Sequence, residues 1–152
     1  MDIAQDSFIS STFWTERIGP VAGLKTLEVM ERDESWKQIT KVGKQIGIRW
    51  KELAEKNNLP IEIGGLPSLI NFNIPVENWL KYKTFITQEM LKNNYIAGNS
   101  VYVCTEHTSQ IIDEYFELIE PVFSTISECE NGKNIDDLLD GPVCHVGFNR
   151  LN

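Results

Sequence analysis

The sequence predicts an α+β domain in which helices cover one face of a small mixed or antiparallel sheet of about three strands. Three observations lead to this prediction. Apolar residues recur at the helical period in four segments, β-branched and aromatic residues concentrate in three short runs, and the two kinds of segment are interleaved. Strands this short need a layer of helices to bury their apolar face.

Two helices are predicted in the first third of the chain. The first covers about residues 17–32 and carries apolar residues around much of its circumference. The second is expected to begin near Asp33 or Ser35, either of which can cap it, and to end before Pro60. Its predicted buried stripe is Trp36, Ile39, Val42, Ile46, Trp50 and Leu53, with lysines outside it.

Two strands and a hairpin are expected to follow. Residues 61–63 and 68–74 are rich in isoleucine and other strand-forming residues. Gly64-Gly65 lies between the two runs and is interpreted as the hairpin turn, together with Pro67. The third strand is predicted at residues 101–103.

Two further helices complete the predicted domain. One covers about residues 77–93, and the other begins at Thr108, whose hydroxyl can cap it. Pro121 is expected to kink or split this last helix. A helical turn is predicted at residues 135–139 of the polar tail.

Composition excludes several classes of partner. The 152 residues have a formal net charge of −8, and their basic residues form no run. Nucleic acids and anionic membranes are therefore not expected as partners, since both are bound through clustered Lys and Arg. No window approaches the eighteen apolar residues of a membrane span, and the three cysteines suggest reduced thiols. We expect a cytoplasmic protein.

Catalytic motifs are absent from the sequence. It contains no G-x-S-x-G, no G-x-x-x-x-G-K-[ST] and no G-x-G-x-x-G. Cys104, His107, Cys144 and His145 could form a zinc site or a Cys-His pair on paper. Two adjacent ligands suit a tetrahedral ion poorly, so no metal site is predicted. None of the ten lysines has the apolar setting of a Schiff-base lysine, and no catalytic residue is predicted.

Two stretches resemble a known enzyme family. Residues 10–30, SSTFWTERIGPVAGLKTLEVM, resemble the junction between the large and small domains of class III pyridoxal-phosphate (PLP) aminotransferases, especially those like glutamate-1-semialdehyde aminomutase. Residues 88–92, 97–103, 106–108 and 112–115, which include His107-Thr108, are similar to the family's final strand, its His-Thr helix cap and its terminal helix. The matches occur in the family's order and together extend over nearly the whole chain.

The resemblance implies the C-terminal small domain of a fold type I PLP enzyme. Residues 1–16 would be the interdomain loop and residues 17–152 the small domain, with the large PLP-binding domain absent from this chain. The parent would be a homodimer that transfers or shifts an amino group through PLP, as an aminotransferase or an aminomutase. The large domain of the same enzyme would supply the Schiff-base lysine, so the chain alone is expected to be inactive and not to bind PLP.

The resemblance also assigns site residues. Ser11 and Thr12 would contact the cofactor phosphate of the neighbouring subunit, although both could instead merely cap the helix that follows. Trp14, Glu16 and Arg17 would border the substrate. The family often has Ser-Gly-Asn-Pro at this point, so the substrate is left open. The alternative hypothesis is a stand-alone, non-catalytic binding or dimerisation module with the same fold.

Overall fold

The computed structural model describes residues 16–145. The chain divides into two compact units between Ser35 and Trp36. The described part of the first unit is helix α1, Ile18–Asp33, which ends at Glu34 in the left-handed conformation. None of its residues is buried. Its large apolar side chains are exposed: Ile18, Val21, Leu24, Leu27 and Met30.

The second unit is the predicted α+β layer. Helix α2, Ser35–Lys56, leads into strands β1, Glu62–Leu66, and β2, Leu69–Asn73. Helix α3, Trp79–Lys92, precedes strand β3, Ser100–Tyr102. Helix α4, Ser109–Glu130, and a 3₁₀ turn at Ile135–Leu138 complete it. No helix within residues 16–145 is long and apolar enough to cross a membrane.

The sheet is antiparallel throughout, in the order β1-β2-β3. Its inner face is built around Phe72, which is fully buried. The Phe72 ring centroid lies 4.7 Å from that of Trp50 on α2, 6.0 Å from that of Trp79 on α3 and 5.7 Å from that of Phe123 on α4. All three helices therefore cover the same face of the sheet, as predicted.

The hairpin turn is not where the sequence analysis placed it. Gly64-Gly65 lies inside β1, paired with Asn71 and Ile70, and the turn is formed by Pro67 and Ser68. Gly65 has a φ of 81°, and a Cβ on it would lie 2.3 Å from the Leu69 carbonyl oxygen. Glycine is needed here because of a close cross-strand contact within the ladder, which the sequence does not distinguish from a turn.

Two glycines of α2 allow the hairpin to approach the helix closely. A Cβ on Gly43 would lie 1.7 Å from the Pro67 carbonyl oxygen, and one on Gly47 would lie 2.6 Å from Ile70 Cδ1. Residues four apart share one helical face, so these glycines form a single depression against β2 and the turn before it. Trp36 lies farther toward the start of α2 and is 44% exposed, contrary to its predicted burial.

Helix α4 begins as predicted and continues further than expected. Thr108 is its N-cap, and its Oγ1 accepts a hydrogen bond from the Ile111 N–H at 3.4 Å. Pro121 neither splits the helix nor ends it. Proline removes one N–H from the helical ladder, but the apolar stripe that continues beyond it is buried on both sides. That stripe is Tyr115, Phe116, Ile119, Val122, Phe123 and Ile126.

Candidate functional site

The predicted cofactor loop lies only partly within the structure. Ser11, Thr12 and Trp14 are outside the described residues 16–145, so their roles stay predictions. Glu16 and Arg17 are described, are exposed, and immediately precede α1. The structure therefore describes where the loop ends but not its first residues.

The beginning of α1 has the chemistry of an anion site. Arg17 is the N-cap residue, its side chain makes no capping hydrogen bond, and the first turn carries no acidic residue. The Arg17 carbonyl accepts the Val21 N–H at 3.0 Å. Pro20 has no N–H, and the N–H groups of Ile18 and Gly19 have no partner within the helix, as at any helix start; they lie at the positive end of its dipole.

No lysine of the chain lies in a Schiff-base environment. All ten lysines are described; Lys81 and Lys83 are half-buried, and the other eight are exposed. Lys81 Nζ lies 2.7 Å from an Asp136 carboxylate oxygen. Hydrogen bonds to carboxylates raise the pKa of Lys92 and of Lys133, which favours their charged forms. A lysine that attacks a carbonyl needs the opposite, a pKa lowered by burial.

The cysteines and histidines considered as a metal set lie on different elements. The Cys104 N–H donates to His107 Nδ1 at 3.3 Å in the turn after β3. The Cys144 N–H donates to Thr84 Oγ1 at 2.9 Å, which places Cys144 against α3. Among residues 16–145, no three or more His, Cys, Asp and Glu side chains are grouped to hold a metal ion. The contacts of these residues are those of structural side chains.

The core contains two paired sets of polar side chains, whereas the buried Ser35 hydroxyl has no hydrogen-bond partner among the described residues. Trp50 Nε1–H donates to the Tyr115 hydroxyl at 2.9 Å, and the Tyr82 hydroxyl donates to Glu130 at 2.5 Å. Burial raises the pKa of both tyrosines, and the Glu130 carboxylate raises that of Tyr82 further. These hydroxyls stay neutral at physiological pH and stabilise the core. Sequence reasoning placed the rings in the core but could not identify their partners.

The outer face of the sheet is an open apolar surface. Strand register aligns Leu66 with Leu69 and Leu69 with Tyr102, which gives a row across all three strands. Leu66 is 70% exposed, Leu69 38% and Tyr102 76%. The next row consists of Gly64, Asn71 and Ser100 and is uncharged. Alternation along β2 gives a sequence signal for this face, but only the register brings the three strands into one row.

A cleft of about 270 Å³ lies beside β3. Ser100 and Tyr102 form its strand side, and His107 and Ile111 contribute from the start of α4. Tyr115, a buried residue of the core, also lines the cleft. The described residues thus offer a helix start suited to an anion, an apolar sheet face and a cleft, none of which carries a covalent catalyst.

Comparisons of sequence and of fold with known proteins gave two consistent matches. No protein-family model matches the chain. It shares 24% identity over 131 residues with the 3-aminobutyryl-CoA aminotransferase of Cloacimonas acidaminovorans (strain Evry), a match over 83% of this chain and 32% of that protein. Its fold matches the FumI protein of Sphingopyxis sp. MTA144, solved in its PLP internal aldimine form, with a TM-score of 0.72 at 15% identity. That match covers 88% of this chain and 33% of FumI.

The two comparisons match this chain to a similar fraction of a longer protein. The chain spans about a third of the length of each protein that it matches. The three-stranded antiparallel sheet with helices on one face is the α+β arrangement shared with the PLP-bearing neighbour. The predicted resemblance is confirmed: the chain is similar to the C-terminal part of a PLP-dependent aminotransferase.

Proposed function

We propose that this chain forms the C-terminal domain of a PLP-dependent aminotransferase, an enzyme that moves an amino group by means of PLP. The observation that carries the proposal is the agreement of the sequence match with the fold match. An aminotransferase aligns with 83% of the chain, and a PLP-bearing protein shares its fold over 88%. Both matches are to a third of a longer polypeptide, which supports the role of one domain among others.

The chain's own residues fit one part of such a site. PLP, when bound, supplies the electron sink for amino-group chemistry, and the protein binds and orients it. No buried lysine is present, so the covalent attachment belongs to the large domain. Ser11 and Thr12 would donate hydroxyl hydrogen bonds to the cofactor phosphate of the neighbouring subunit. Support for this comes from the start of α1, where uncapped N–H groups favour an anion.

The residues after Thr12 would border the substrate. Glu16 and Arg17 are exposed and have opposite charges, so they can orient a substrate that carries an amino group and a carboxylate or phosphate. Trp14 would add an apolar wall. The proposal extends to a cytoplasmic homodimer and leaves open whether the amino group is transferred to a second molecule or shifted within one.

The second candidate is a stand-alone binding or dimerisation module. What favours it is the core of residues 36–145. Side chains from α2, α3, α4 and strands β2 and β3 form one hydrophobic cluster, with Trp50, Phe72 and Phe123 fully buried. A unit with its own core can fold by itself.

Reductive labelling distinguishes the two functions. The chain and a polypeptide that joins it to its large domain are each incubated with PLP, reduced with borohydride and analysed by peptide mass spectrometry. We expect one stoichiometrically labelled lysine in the longer polypeptide, outside these 152 residues. A single fully labelled lysine inside the chain, or no labelled lysine in the longer polypeptide, would contradict the proposal.

The phosphate contact has its own matched test. Ser11→Ala and Thr12→Val in the longer polypeptide should weaken PLP binding about tenfold, the loss expected when a hydrogen bond to a charged group is removed. Ser124→Ala removes an exposed hydroxyl of α4 and serves as the control. The PLP dissociation constant is measured by absorbance titration. Equal constants for all four proteins would contradict a phosphate contact by Ser11 and Thr12.

A further inference from the structure

Strand β3 is one of the two edge strands of the sheet. Its hydrogen bonds to β2 define which of its backbone groups face the open edge. The Phe72 N–H donates to the Asn99 carbonyl at 2.9 Å, and the Val103 N–H donates to the Ser68 carbonyl at 3.0 Å. In an antiparallel ladder this pattern makes Asn71–Ser100 and Leu69–Tyr102 non-hydrogen-bonded pairs. Val101 directs its backbone groups toward β2.

The backbone groups of the two neighbouring residues point the other way. The N–H and C=O of Ser100 and of Tyr102 face away from β2, because successive residues of a strand alternate in direction. Within residues 16–145, no hydrogen bond from another segment reaches them. Four strand-like donors and acceptors therefore lie unpaired in a row.

Ser100 and Tyr102, which carry these groups, also line the cleft beside β3. Ile96, His107 and Ile111 are among its other lining residues. At about 270 Å³ it is smaller than a typical cofactor site but large enough for one bulky apolar side chain. Ile96, at 98% exposed, forms an apolar rim. An edge strand next to an apolar pocket is the arrangement by which sheets bind an added strand.

The two edge strands of the sheet differ in their side chains. Natural sheets limit pairing at an edge with short strands, charged residues or proline; β3, Ser100–Tyr102, is short but carries neither a charge nor a proline. The opposite edge strand, β1, carries the charged Glu62 and a glycine with positive φ. The side chains of β3 therefore oppose an added strand less than those of β1.

We propose that β3 accepts a fourth strand, an extended segment of the same enzyme's polypeptide outside this chain, which places one large apolar side chain in the cleft. This proposal rests on the proposed function. The occupant follows from length, because about two thirds of each matched protein lies beyond the part that this chain covers. The added strand pairs with the N–H and C=O of Ser100 and Tyr102 and extends the sheet by one strand.

Hydrogen exchange tests the pairing. Exchange of the individual amides of residues 99–103 is measured on the 152-residue chain at low concentration and on the polypeptide that joins it to the large domain. The Ser100 and Tyr102 amides should exchange at least about tenfold more slowly in the longer polypeptide. Val101 and Val103, paired with β2 in both, provide the internal reference. Equal exchange of Ser100 and Tyr102 in the two proteins would overturn the proposal.

Proline at position 102 gives the matched variant. Tyr102→Pro removes an N–H that faces the free edge and leaves both β2 bonds intact. Tyr102→Thr removes the same ring but keeps the N–H. In the longer polypeptide, Tyr102→Pro should restore fast exchange at Ser100, whereas Tyr102→Thr should keep it slow.

Other outcomes identify other occupants. Protection of the chain alone that rises with its concentration would mean that a second copy pairs with β3, which also overturns the proposal. Borohydride labelling of the same samples reports the proposed function separately. A labelled large-domain lysine with an unprotected β3 contradicts only the added strand, and a protected β3 without labelling contradicts only the proposed function.

Discussion

The contact between Gly43 and the hairpin turn gives the sharpest test of this fold. In Gly43→Ala the new Cβ would lie 1.7 Å from the Pro67 carbonyl oxygen. Carbon and carbonyl oxygen approach no closer than about 3.3 Å in ordinary contacts, so helix and turn must separate by roughly 1.6 Å. The new Cβ is fixed to the backbone of α2, and the oxygen it meets belongs to the backbone of the turn, so no rotamer change can relieve the clash.

The expected cost follows from two opposing effects. Overpacking a buried contact costs about 3 kcal/mol when backbone must shift. Replacing a helical glycine with alanine returns about 1 kcal/mol through backbone entropy. The net loss should be about 2 kcal/mol, which lowers the melting temperature by about 6 °C for a chain of this size. Thermal and urea unfolding followed by circular dichroism would measure it.

Two other glycines provide graded controls. In Gly47→Ala the new Cβ would clash with Ile70 Cδ1, the end of a flexible side chain, and would meet Ile63 Cγ2 at an ordinary 3.5 Å, so its stability should stay within about 1 kcal/mol of the wild type. Gly23→Ala, in exposed α1, meets nothing within 4 Å and should be unchanged or more stable by up to about 1 kcal/mol. If Gly43→Ala were as stable as Gly23→Ala, the close approach of α2 to the turn would be wrong.

Three further perturbations have defined outcomes. Tyr115→Phe leaves the buried Trp50 N–H without its acceptor and should cost about 1–3 kcal/mol in urea unfolding, whereas an unchanged midpoint would argue against that bond. Because burial and then Glu130 raise the pKa of Tyr82 in the folded state, and burial also raises that of Tyr115, folding stability should be fully present below pH 10 and fall above it by up to about 1.4 kcal/mol per pH unit for each of the two tyrosines. Tyr82→Phe should remove the Tyr82 part of this decline and leave the Tyr115 part, and an alkaline profile identical to that of the wild type would contradict the raised pKa of Tyr82. Leu24→Glu should reduce self-association of the chain in a light-scattering concentration series, since Leu24 is an exposed apolar residue of α1, and equal scattering would exclude its face as the contact.

Local chemistry was sufficient for the elements themselves. The Thr108 cap, the apolar stripe of α4 and the alternating apolar residues of β2 each carry their signal within a few residues, and each is present as predicted. The family resemblance likewise came from short ordered stretches of sequence. It directed attention to Ser11 and Thr12, whose roles depend on residues that a neighbouring subunit would supply.

Other features depend on contacts between residues that are far apart in the sequence. Gly64-Gly65 has the composition of a turn but lies within β1, because Asn71 and the Leu69 carbonyl leave no room for a Cβ. Trp36 continues the spacing of the α2 stripe but lies where α2 has no core beside it, so periodicity alone assigned it wrongly. Pro121 lies in a helix whose buried stripe continues on both sides of it.

The surfaces of the domain likewise depend partly on local sequence and partly on tertiary contacts. Sequence alone determined that the chain has an apolar α1, a short third strand and no lysine suited to a Schiff base. Only the tertiary structure decided that Leu66, Leu69 and Tyr102 form one exposed row and that β3 is an edge strand beside a cleft. The physical reason is that periodicity reports which face of a segment is apolar. Strand order and register decide which of those faces meet, and they depend on contacts between residues far apart in the chain.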